Sequence, residues 1–335
     1  MIKLLDLSMN VSTMFMSKQI TQQPLINLPP ARLNTNPFFK LRKEKVVIVI
    51  GATGTGKSRL SIDIATRFPA EVINSDKMQV YDGLDIVTNK ITKQEQHGVP
   101  HHLLGVIDPL SDFSTTNFSD MAMLSLDAIS SHDRLPIVAG GSNSYIEALI
   151  DSKFQSKYEC CFLWVDVSMQ VLQSFVSERV DKMVAKGMVN EAEKYFDPAR
   201  DYSRGIKRAI GVPEFDSYFR FKSLLDEEGQ EKLLKESISK VKEHTCKLAL
   251  RQLGKIQRLR NIKGWNIHRL DATEAFTKQG KEAEEAWNKL VTLPTTTIID
   301  QFLHPNVVTT KLPTNLASLI GVPRKRTAAM AAATP

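Results

Sequence analysis

The stretch KVVIVIGATGTGKS, residues 45–58, decides the fold of this chain. Residues 46–50 are apolar, mostly β-branched and bounded by glycine, which predicts a buried parallel strand. The pattern GxxxxGK[ST] follows at once and leads into an amphipathic run at 59–67. The glycines let the turn expose backbone N–H groups, which with the next helix N-terminus form a concave anion site. The stretch therefore predicts a phosphate-binding loop, in which Lys57 adds positive charge and the Ser58 hydroxyl is placed to ligate Mg²⁺. The plain alternative is a glycine turn with a surface lysine.

Composition sets the first limits. The chain has 335 residues, and no run approaches the 18 or more apolar residues of a transmembrane helix, so no membrane partner is expected. The three cysteines, Cys160, Cys161 and Cys246, form neither a disulfide framework nor a CxxC pair. That usage suits a reducing compartment and leaves no cysteine zinc site.

The positive net charge is concentrated at the ends of the chain. Of the total of +7, residues 1–45 carry +5 and residues 311–335 carry +4, so residues 46–310 carry −2. A strongly cationic face for many phosphate contacts is not implied by that distribution.

Both ends lack hydrophobic periodicity. Residues 1–42 are basic, rich in Ser, Thr, Asn, Gln and Pro, and hold one acid, Asp6. This is typical of an organelle transit peptide, with a plain disordered tail as the alternative. We predict that residues 310–335 form a disordered basic tail, although the run PRKR at 323–326 also resembles a nuclear signal.

Strand and helix patterns alternate between the ends. The predicted strands are 46–50, 70–74, 135–139 and 161–165, and the predicted helices are 57–67, 119–132, 144–149, 171–195 with a break near Gly187, and 225–261. Alternation of this kind predicts an α/β fold with a mainly parallel sheet. Ligands are then expected at the carboxyl ends of the strands.

A second motif, VINSDKMQVYDG at 72–83, places Asp76 just after the end of a predicted strand. We expect Asp76 to face the phosphate loop from the neighbouring strand. A carboxylate there ligates a metal or acts as a general base. The alternative is a turn or helix N-cap aspartate.

Two further segments are candidates for ligand contacts. Thr88 and Lys90 are placed to meet a nucleotide or phosphate. His101 and His102 are adjacent, so in a strand they would point to opposite faces and could not chelate a metal together. The run IVAGGSNSY at 137–145 ends a buried strand in a glycine pair, which allows close backbone approach to a ligand or to another element, with plain packing as the alternative.

These residues leave three phosphate-handling classes open: a small-molecule kinase, a nucleotide hydrolase, and a transferase with a diphosphate leaving group. The hydrolase is the hardest to support, because its metal-binding aspartate ends an apolar strand and the strand at 135–139 ends in Gly-Gly. Asp166, after residues 161–165, imitates that signature, so the hydrolase is not excluded.

Six ordered motifs between residues 45 and 260 resemble one family. They are GATGTGKS, NSDKMQVYDGLDIVTNK, GVPHHLLGVIDP, VAGGSNSYIEAL, RVDKMVAKGMVNE and IKRAIGVPEF. They resemble the isopentenyltransferases that prenylate adenine at N6, and the forms GGSNSY and AIGVPEF are similar to those of plant adenylate isopentenyltransferases, the cytokinin synthases. The tRNA-modifying branch has an IGYRQ-like segment where this chain has residues 210–214. Its eukaryotic members often add a zinc finger, for which no cysteine follows Cys246.

The resemblance implies that the loop holds the diphosphate of dimethylallyl diphosphate, the prenyl donor, and that an adenine nucleotide is the acceptor. Thr53 matches a threonine near the donor's bridging oxygen, Asp76 the general base, and Arg179 an arginine that reaches over the diphosphate. The implied donor-binding set is Gly51, Ala52, Gly54, Thr55, Gly56, Lys57, Ser58 and Arg179. The implied acceptor-binding set is Asp76, Thr88, Lys90, Ser142, Arg208 and Arg251.

The resemblance also implies an architecture, a cofactor and a compartment. The expected fold is a P-loop NTPase-like α/β core with an inserted helical lid domain. The segments are 1–42, a transit peptide; 43–167, the first part of the core; 168–225, the lid; 226–309, C-terminal helices completing the core; and 310–335, the tail. We expect Mg²⁺ as cofactor, ADP or ATP rather than AMP as acceptor, tRNA as an improbable partner, and a plastid location. The cations considered for the acceptor phosphates are Lys90, Lys207, Arg208, Arg251 and Lys255. A tRNA dimethylallyltransferase and a small-molecule kinase are the alternatives.

Overall fold

A computed structural model describes residues 43–305. The predictions for residues 1–42 and for the basic tail lie outside these residues. Within them, no helix is both long and apolar enough to cross a membrane.

A six-stranded sheet organises the described chain. The strands are β1 (Glu44–Ile50), β2 (Ala70–Asn74), β3 (His101–His102), β4 (Leu135–Ala139), β5 (Tyr158–Asp166) and β6 (Ile267–Asp271). Their order is β3-β2-β4-β1-β5-β6, and every neighbouring pair is parallel. The predicted α/β class with a parallel sheet is confirmed.

Helices connect the strands and cover the sheet. They are α1 (Lys57–Ala65), α2 (Thr115–Ser131), α3 (Asn143–Leu149), α4 (Ser152–Lys157), α5 (Met169–Ala185), α6 (Met188–Glu193), α7 (Asp216–Phe221), α8 (Glu227–Asn261), α9 (Thr273–Thr277), α10 (Gly280–Trp287) and α11 (Leu293–Leu303). Short 3₁₀ turns lie at Gly205–Arg208, Pro213–Phe215 and Lys222–Leu224, and a π-helical turn at Asn288–Thr292 joins α10 to α11. The predicted helices are confirmed with small shifts at their ends.

Strand β1 lies inside the sheet, between β4 and β5, and both of its faces are buried. Val46, Ile48 and Ile50 pack into the core on one face of the sheet, and Val47 and Val49 pack into the core on the other. All five side chains are fully buried. A continuous apolar run is what a strand covered on both faces requires.

The region after residue 226 differs from the prediction in one respect. It contributes helices, as expected, but it also contributes β6, which pairs with the edge of β5. Only Ile267 and Leu270 of β6 are buried, so its sequence IHRLD lacks the apolar run that marks the inner strands. An edge strand of this kind gives little hydrophobic signal.

The segment 168–225 is helical throughout its regular elements, with α5 followed by a break at Gly187 and then α6. Gly187 has a φ of 100°, in the left-handed region that glycine adopts without steric cost. Glu191 on α6 accepts hydrogen bonds from the Ile86 and Val87 N–H groups at 2.9 and 2.8 Å, which joins this segment to the turn after β2. Its movement as a lid stays a prediction.

Candidate active site

The loop between β1 and α1 takes a shape that only glycine permits at two positions. Gly54 and Gly56 have φ values of 86° and 90°. A Cβ on Gly54 would lie 2.8 Å from Val176 of α5, and one on Gly56 would lie 2.6 Å from the Trp287 ring of α10. The loop is therefore held between α5 and α10.

Two side chains of α1 hold Trp287 in place. Its Nε1–H donates to Asp63 of α1 at 2.7 Å, and the Arg59 guanidinium lies 4.5 Å from the centre of its ring. This support could not be predicted from local sequence patterns, because the contact between α1 and α10 joins residues more than 200 positions apart.

Lys57 lies in the loop with its ammonium group turned inward. Its Nζ donates to the Ala52 carbonyl at 2.6 Å. Burial lowers the pKa of Lys57 to about 8; the nearby Asp76 opposes this shift and Arg179 adds to it. A buried cation of this kind is ready to be paired with an anion.

Arg179 of α5 reaches the same loop. Its Nη2 donates to the Thr53 hydroxyl at 3.0 Å, while its buried Nε makes no hydrogen bond within residues 43–305. Burial lowers the pKa of Arg179, and the negative charge of Asp76 opposes that effect. Thr53 and Arg179, which the resemblance places at the donor, are thus in direct contact.

Asp76 lies directly after β2 and uses one carboxylate oxygen to shape its turn. Its Oδ1 accepts from the Met78 N–H at 3.0 Å, and its own N–H donates to Asn74 Oδ1 at 3.1 Å. Its Oδ2 makes no hydrogen bond in the described part of the chain. Asp76 therefore forms a turn through Oδ1, as the alternative interpretation predicted, and its Oδ2 is left available to accept a hydrogen bond or a proton.

Asp76 lines the same cavity as Lys57 of the loop, but the expectation that it approaches from the neighbouring strand is wrong. Strand β4 lies between β1 and β2, and it ends in the glycine pair Gly140 and Gly141. A Cβ on Gly140 would lie 2.4 Å from Ser75, and one on Gly141 would lie 2.4 Å from Gln252 Nε2 and 3.6 Å from Asp76 Oδ2. The glycines are required because the backbone and Gln252 pack so closely here, and they leave no side chain between Asp76 and the loop.

Two cavities meet at these residues. One, of about 920 Å³, extends over the phosphate loop and is lined by Lys57 and Ser58. The other, of about 510 Å³, extends towards α8. Thr53, Asp76 and Arg179 line both, so the three residues lie at the junction.

The predicted acceptor residues divide into two groups. Thr88, Ser142, Arg208 and Arg251 line the 510 Å³ cavity. Lys90 does not, because its ammonium group donates to the Gly83 carbonyl and to Asp85 Oδ1, where it holds the turn together.

The cations considered for additional phosphates divide in the same way. Lys207 is paired with Asp197 at 2.7 Å, whereas Lys255 lines the cavity beside Arg208 and Arg251. Sequence reasoning missed Lys77, which also lines it and whose pKa is lowered by burial and by the nearby Arg208 and Lys255. Its position directly after Asp76 was the feature of the sequence that could have identified Lys77 as a site residue.

The structure offers little support for metal chelation by protein groups. His102 is paired with Glu71 at 2.6 Å, and residues 43–305 hold no cluster of three His, Cys, Asp or Glu side chains suited to a metal. Asp166 is held by Arg269 at 2.6 Å, and it is not among the residues that line the phosphate-loop cavity. The hydrolase interpretation depended on Asp166 and loses its metal ligand.

Most of the chain is similar in sequence to known proteins. The family described as IPP transferase matches residues 79–157 and 151–258. Adenylate isopentenyltransferase 3, chloroplastic, of Arabidopsis thaliana is 53% identical over 88% of this chain and 90% of its own length. Its relative number 5, also chloroplastic, is 58% identical over 80% and 82%, and number 7, mitochondrial, is 50% identical over 82% and 85%.

Solved structures show the same fold. A eukaryotic dimethylallyltransferase acting on tRNA covers 83% of this chain and 84% of its own, with a TM-score of 0.68 at 24% identity. The tRNA isopentenylpyrophosphate transferase of Bacillus halodurans covers 77% and 100%, with a TM-score of 0.59 at 26% identity.

Proposed function

The chain belongs to the IPP transferase family, and from that premise we propose that it transfers the dimethylallyl group of dimethylallyl diphosphate to N6 of an adenine nucleotide, in cytokinin biosynthesis. The observation that carries this proposal is the junction of the two cavities. A prenyl donor held by the phosphate loop and a nucleotide held by the second cavity would meet beside Asp76, Thr53 and Arg179.

On the donor side, the reaction needs a site that stabilises a leaving diphosphate. As the allylic C–O bond breaks, positive charge develops on carbon and negative charge grows on the diphosphate. The loop N–H groups, Lys57 and Arg179 are cationic or hydrogen-bond donors that surround this position, and preorganised donors of this kind stabilise a transition state where charge accumulates. The buried, unpaired Nε of Arg179 supports its assignment to the diphosphate.

On the acceptor side, the reaction needs a base. Adenine N6 is a poor nucleophile because its lone pair is delocalised into the ring. As the C–N6 bond forms, one N6 proton passes to Asp76, and diphosphate leaves with the electrons of the C–O bond. The unused Oδ2 of Asp76 supports that role, and general-base help of this kind contributes about 10²–10⁴-fold.

Mg²⁺ fits the donor side through Ser58. Mg²⁺ keeps several waters and is bound by few protein groups together with substrate phosphates, so it does not need the carboxylate cluster that is missing from residues 43–305. Ser58 lines the cavity next to Lys57 and offers one hydroxyl ligand. When bound, the metal would neutralise negative charge on the departing diphosphate.

The cations of the second cavity indicate an acceptor with several phosphates. Lys77, Arg208, Arg251 and Lys255 line it, and Asp76 is the acid that joins them there. We propose ADP and ATP as preferred acceptors over AMP, and tRNA as a non-substrate. The relatives at 50–58% identity carry adenylate names, whereas the structures that act on tRNA are 24–26% identical.

One incubation tests this function. The enzyme, Mg²⁺ and dimethylallyl diphosphate are mixed separately with AMP, ADP, ATP or unmodified tRNA, and the products are separated by mass. We expect prenylated ADP and ATP. Prenylated tRNA alone would instead support a tRNA dimethylallyltransferase, and phosphate transfer from ATP without any prenyl donor would support a kinase.

The acceptor site is tested by replacing both Arg251 and Lys255 with alanine. We expect KM for ATP to rise about tenfold or more, since hydrogen bonds to charged groups are worth about 1.5–3 kcal/mol, while KM for AMP changes less. Lys232→Ala, an exposed lysine near the start of the same helix, is the control. Equal changes for ATP and AMP would contradict the assignment.

We also propose a plastid location, which the chloroplastic relatives and the acid-poor segment 1–42 support. A fluorescent reporter fused to residues 1–45 would collect in plastids. Accumulation in mitochondria, as the name of one relative allows, or in the cytosol would contradict it.

A further inference from the structure

A buried glutamine on α8 joins two loops of the active site. Gln252 is 6% exposed. Its Oε1 accepts a hydrogen bond from the Thr53 N–H at 2.7 Å, and its Nε2 donates to the Gly141 carbonyl at 2.9 Å. One amide therefore connects the phosphate loop to the glycine pair beside Asp76.

The surroundings of Gln252 are fitted to this bridge. Gly141 leaves room for the amide, since a Cβ there would lie 2.4 Å from Nε2. The backbone carbonyl of Gln252 accepts from Asn143 Nδ2 at 3.3 Å, which fixes the helix against the start of α3. A bridge held at both ends and along its backbone has little freedom to shift.

Thr53 is consequently fixed from two helices. Its N–H is bound by Gln252 of α8 and its hydroxyl by Arg179 of α5. The same α8 carries Arg251 and Lys255 in the acceptor cavity. Helix α8, which is 35 residues long, thus contacts the phosphate loop and the glycine pair and also carries two of the acceptor cations.

We propose that Gln252 is a positioning residue, which sets the separation between the donor carbon above the phosphate loop and the adenine N6 beside Asp76. The inference rests on the proposed prenyl transfer. Gln252 also lines the acceptor cavity, but its Oε1 and Nε2 are engaged by Thr53 and Gly141, and it acts through them. Because a misplacement of about 1 Å in a reacting pair costs about 10²-fold in rate, loss of the bridge is expected to lower kcat by roughly 10–100-fold.

Two substitutions separate positioning from packing. Gln252→Met keeps the volume and loses both hydrogen bonds. Gln252→Glu keeps an acceptor for the Thr53 N–H but replaces the amide donor with an oxygen facing the Gly141 carbonyl. Gln257→Ala, at an exposed glutamine five residues further along α8, is the matched control.

The measurements are kcat and KM for both substrates, donor binding without acceptor by calorimetry, and the thermal midpoint. The ratio of prenyl alcohol to prenylated nucleotide is measured as well, because a misplaced acceptor leaves the allylic carbon to water. We expect both variants to lose kcat, to bind the donor within about threefold of wild type, and to form more prenyl alcohol per turnover, whereas Gln257→Ala behaves as wild type.

Three results would overturn a positioning role for Gln252. Normal kcat in Gln252→Met would show that only volume matters, and normal kcat in Gln252→Glu would show that the Gly141 bond is dispensable; either overturns the proposal. If both variants lose donor binding together with the thermal transition, Gln252 is a structural residue and the proposal is wrong. A wild-type enzyme that prenylates no nucleotide would instead overturn the proposed function itself.

Discussion

Replacing Lys57 with methionine is expected to stabilise the substrate-free protein while abolishing use of the prenyl donor. The physical reason is the burial of a positive charge. Lys57 has a pKa of about 8 in the folded protein against an ordinary value of 10.5, so the fold holds the charged form less well than water does. Methionine fills similar volume without that charge.

The magnitude follows from the size of that shift. One pKa unit is worth 1.36 kcal/mol, so the difference between 10.5 and about 8 corresponds to about 3 kcal/mol of destabilisation below pH 8. The variant also loses the hydrogen bond to the Ala52 carbonyl, worth about 1 kcal/mol. We therefore expect a net gain of about 2 kcal/mol in the free energy of unfolding at neutral pH.

The sign of the pH dependence gives a second check. Between pH 8 and 10.5 the unfolded chain binds the Lys57 proton and the folded chain releases it. Stability of the wild type therefore rises through that window relative to the variant. The advantage of Lys57→Met is present below pH 8 and disappears as the pH approaches 10.5.

Urea unfolding of both proteins at neutral pH and again near the upper end of the window measures these differences. Lys232→Met, on the exposed side of α8, is the control and is expected to change stability by less than about 0.5 kcal/mol. The same samples are titrated with the donor, which is expected to stabilise the wild type and not Lys57→Met. A variant less stable than wild type at neutral pH, or a difference that does not change with pH, would refute the reasoning.

Three further substitutions test the site. Asp76→Asn is expected to lower kcat by about 10²–10⁴-fold with donor binding retained, as followed by steady-state rates and calorimetry, and a near-normal kcat would remove Asp76 from the base role. Arg179→Ala is expected to lower kcat/KM for the donor by roughly 10²-fold, and an unchanged value would contradict its contact with the diphosphate. Gly56→Ala is expected to cost about 2–5 kcal/mol, from the left-handed backbone and the contact with Trp287. Gly98→Ala, at a φ of 78° with open space around it, isolates the backbone part, so equal losses of thermal stability would exclude the Trp287 contact.

The inner strands and the long helices could be predicted from the sequence because each carries its signal locally. The apolar runs of β1 and β4 indicate strands that are buried on both faces, and the glycine-rich pattern after β1 predicts an anion site. Strand β6 carried no comparable signal because it lies at the edge of the sheet and buries two side chains. Local periodicity reports burial, and an edge strand has little of it.

The arrangement of the site was less accessible because it depends on strand order. Asp76 follows β2 and the phosphate loop follows β1, yet β4, which comes later in the chain, lies between them. The same order brings Ser75 and Gln252 against Gly140 and Gly141, which confirms the packing interpretation of the glycine pair, while approach to a ligand stays a prediction. For Lys90 the residue type alone was misleading. A lysine suits a phosphate, but Lys90 forms an ion pair with Asp85, five positions before it.

We infer what the phosphate loop holds from the carboxylates around it rather than from the loop itself. A hydrolase needs a carboxylate that fixes a metal beside the loop, and the strand-end candidate, Asp166, is neutralised by Arg269. Asp76 remains, with Oδ2 unused and at the junction with a cavity lined by Lys77, Arg208, Arg251 and Lys255. A base at that junction can take a proton from a group in the second cavity while the loop retains the anion that leaves. That division of roles is what prenyl transfer from a diphosphate requires, with the attacked allylic carbon facing the acceptor and the departing diphosphate held by the loop.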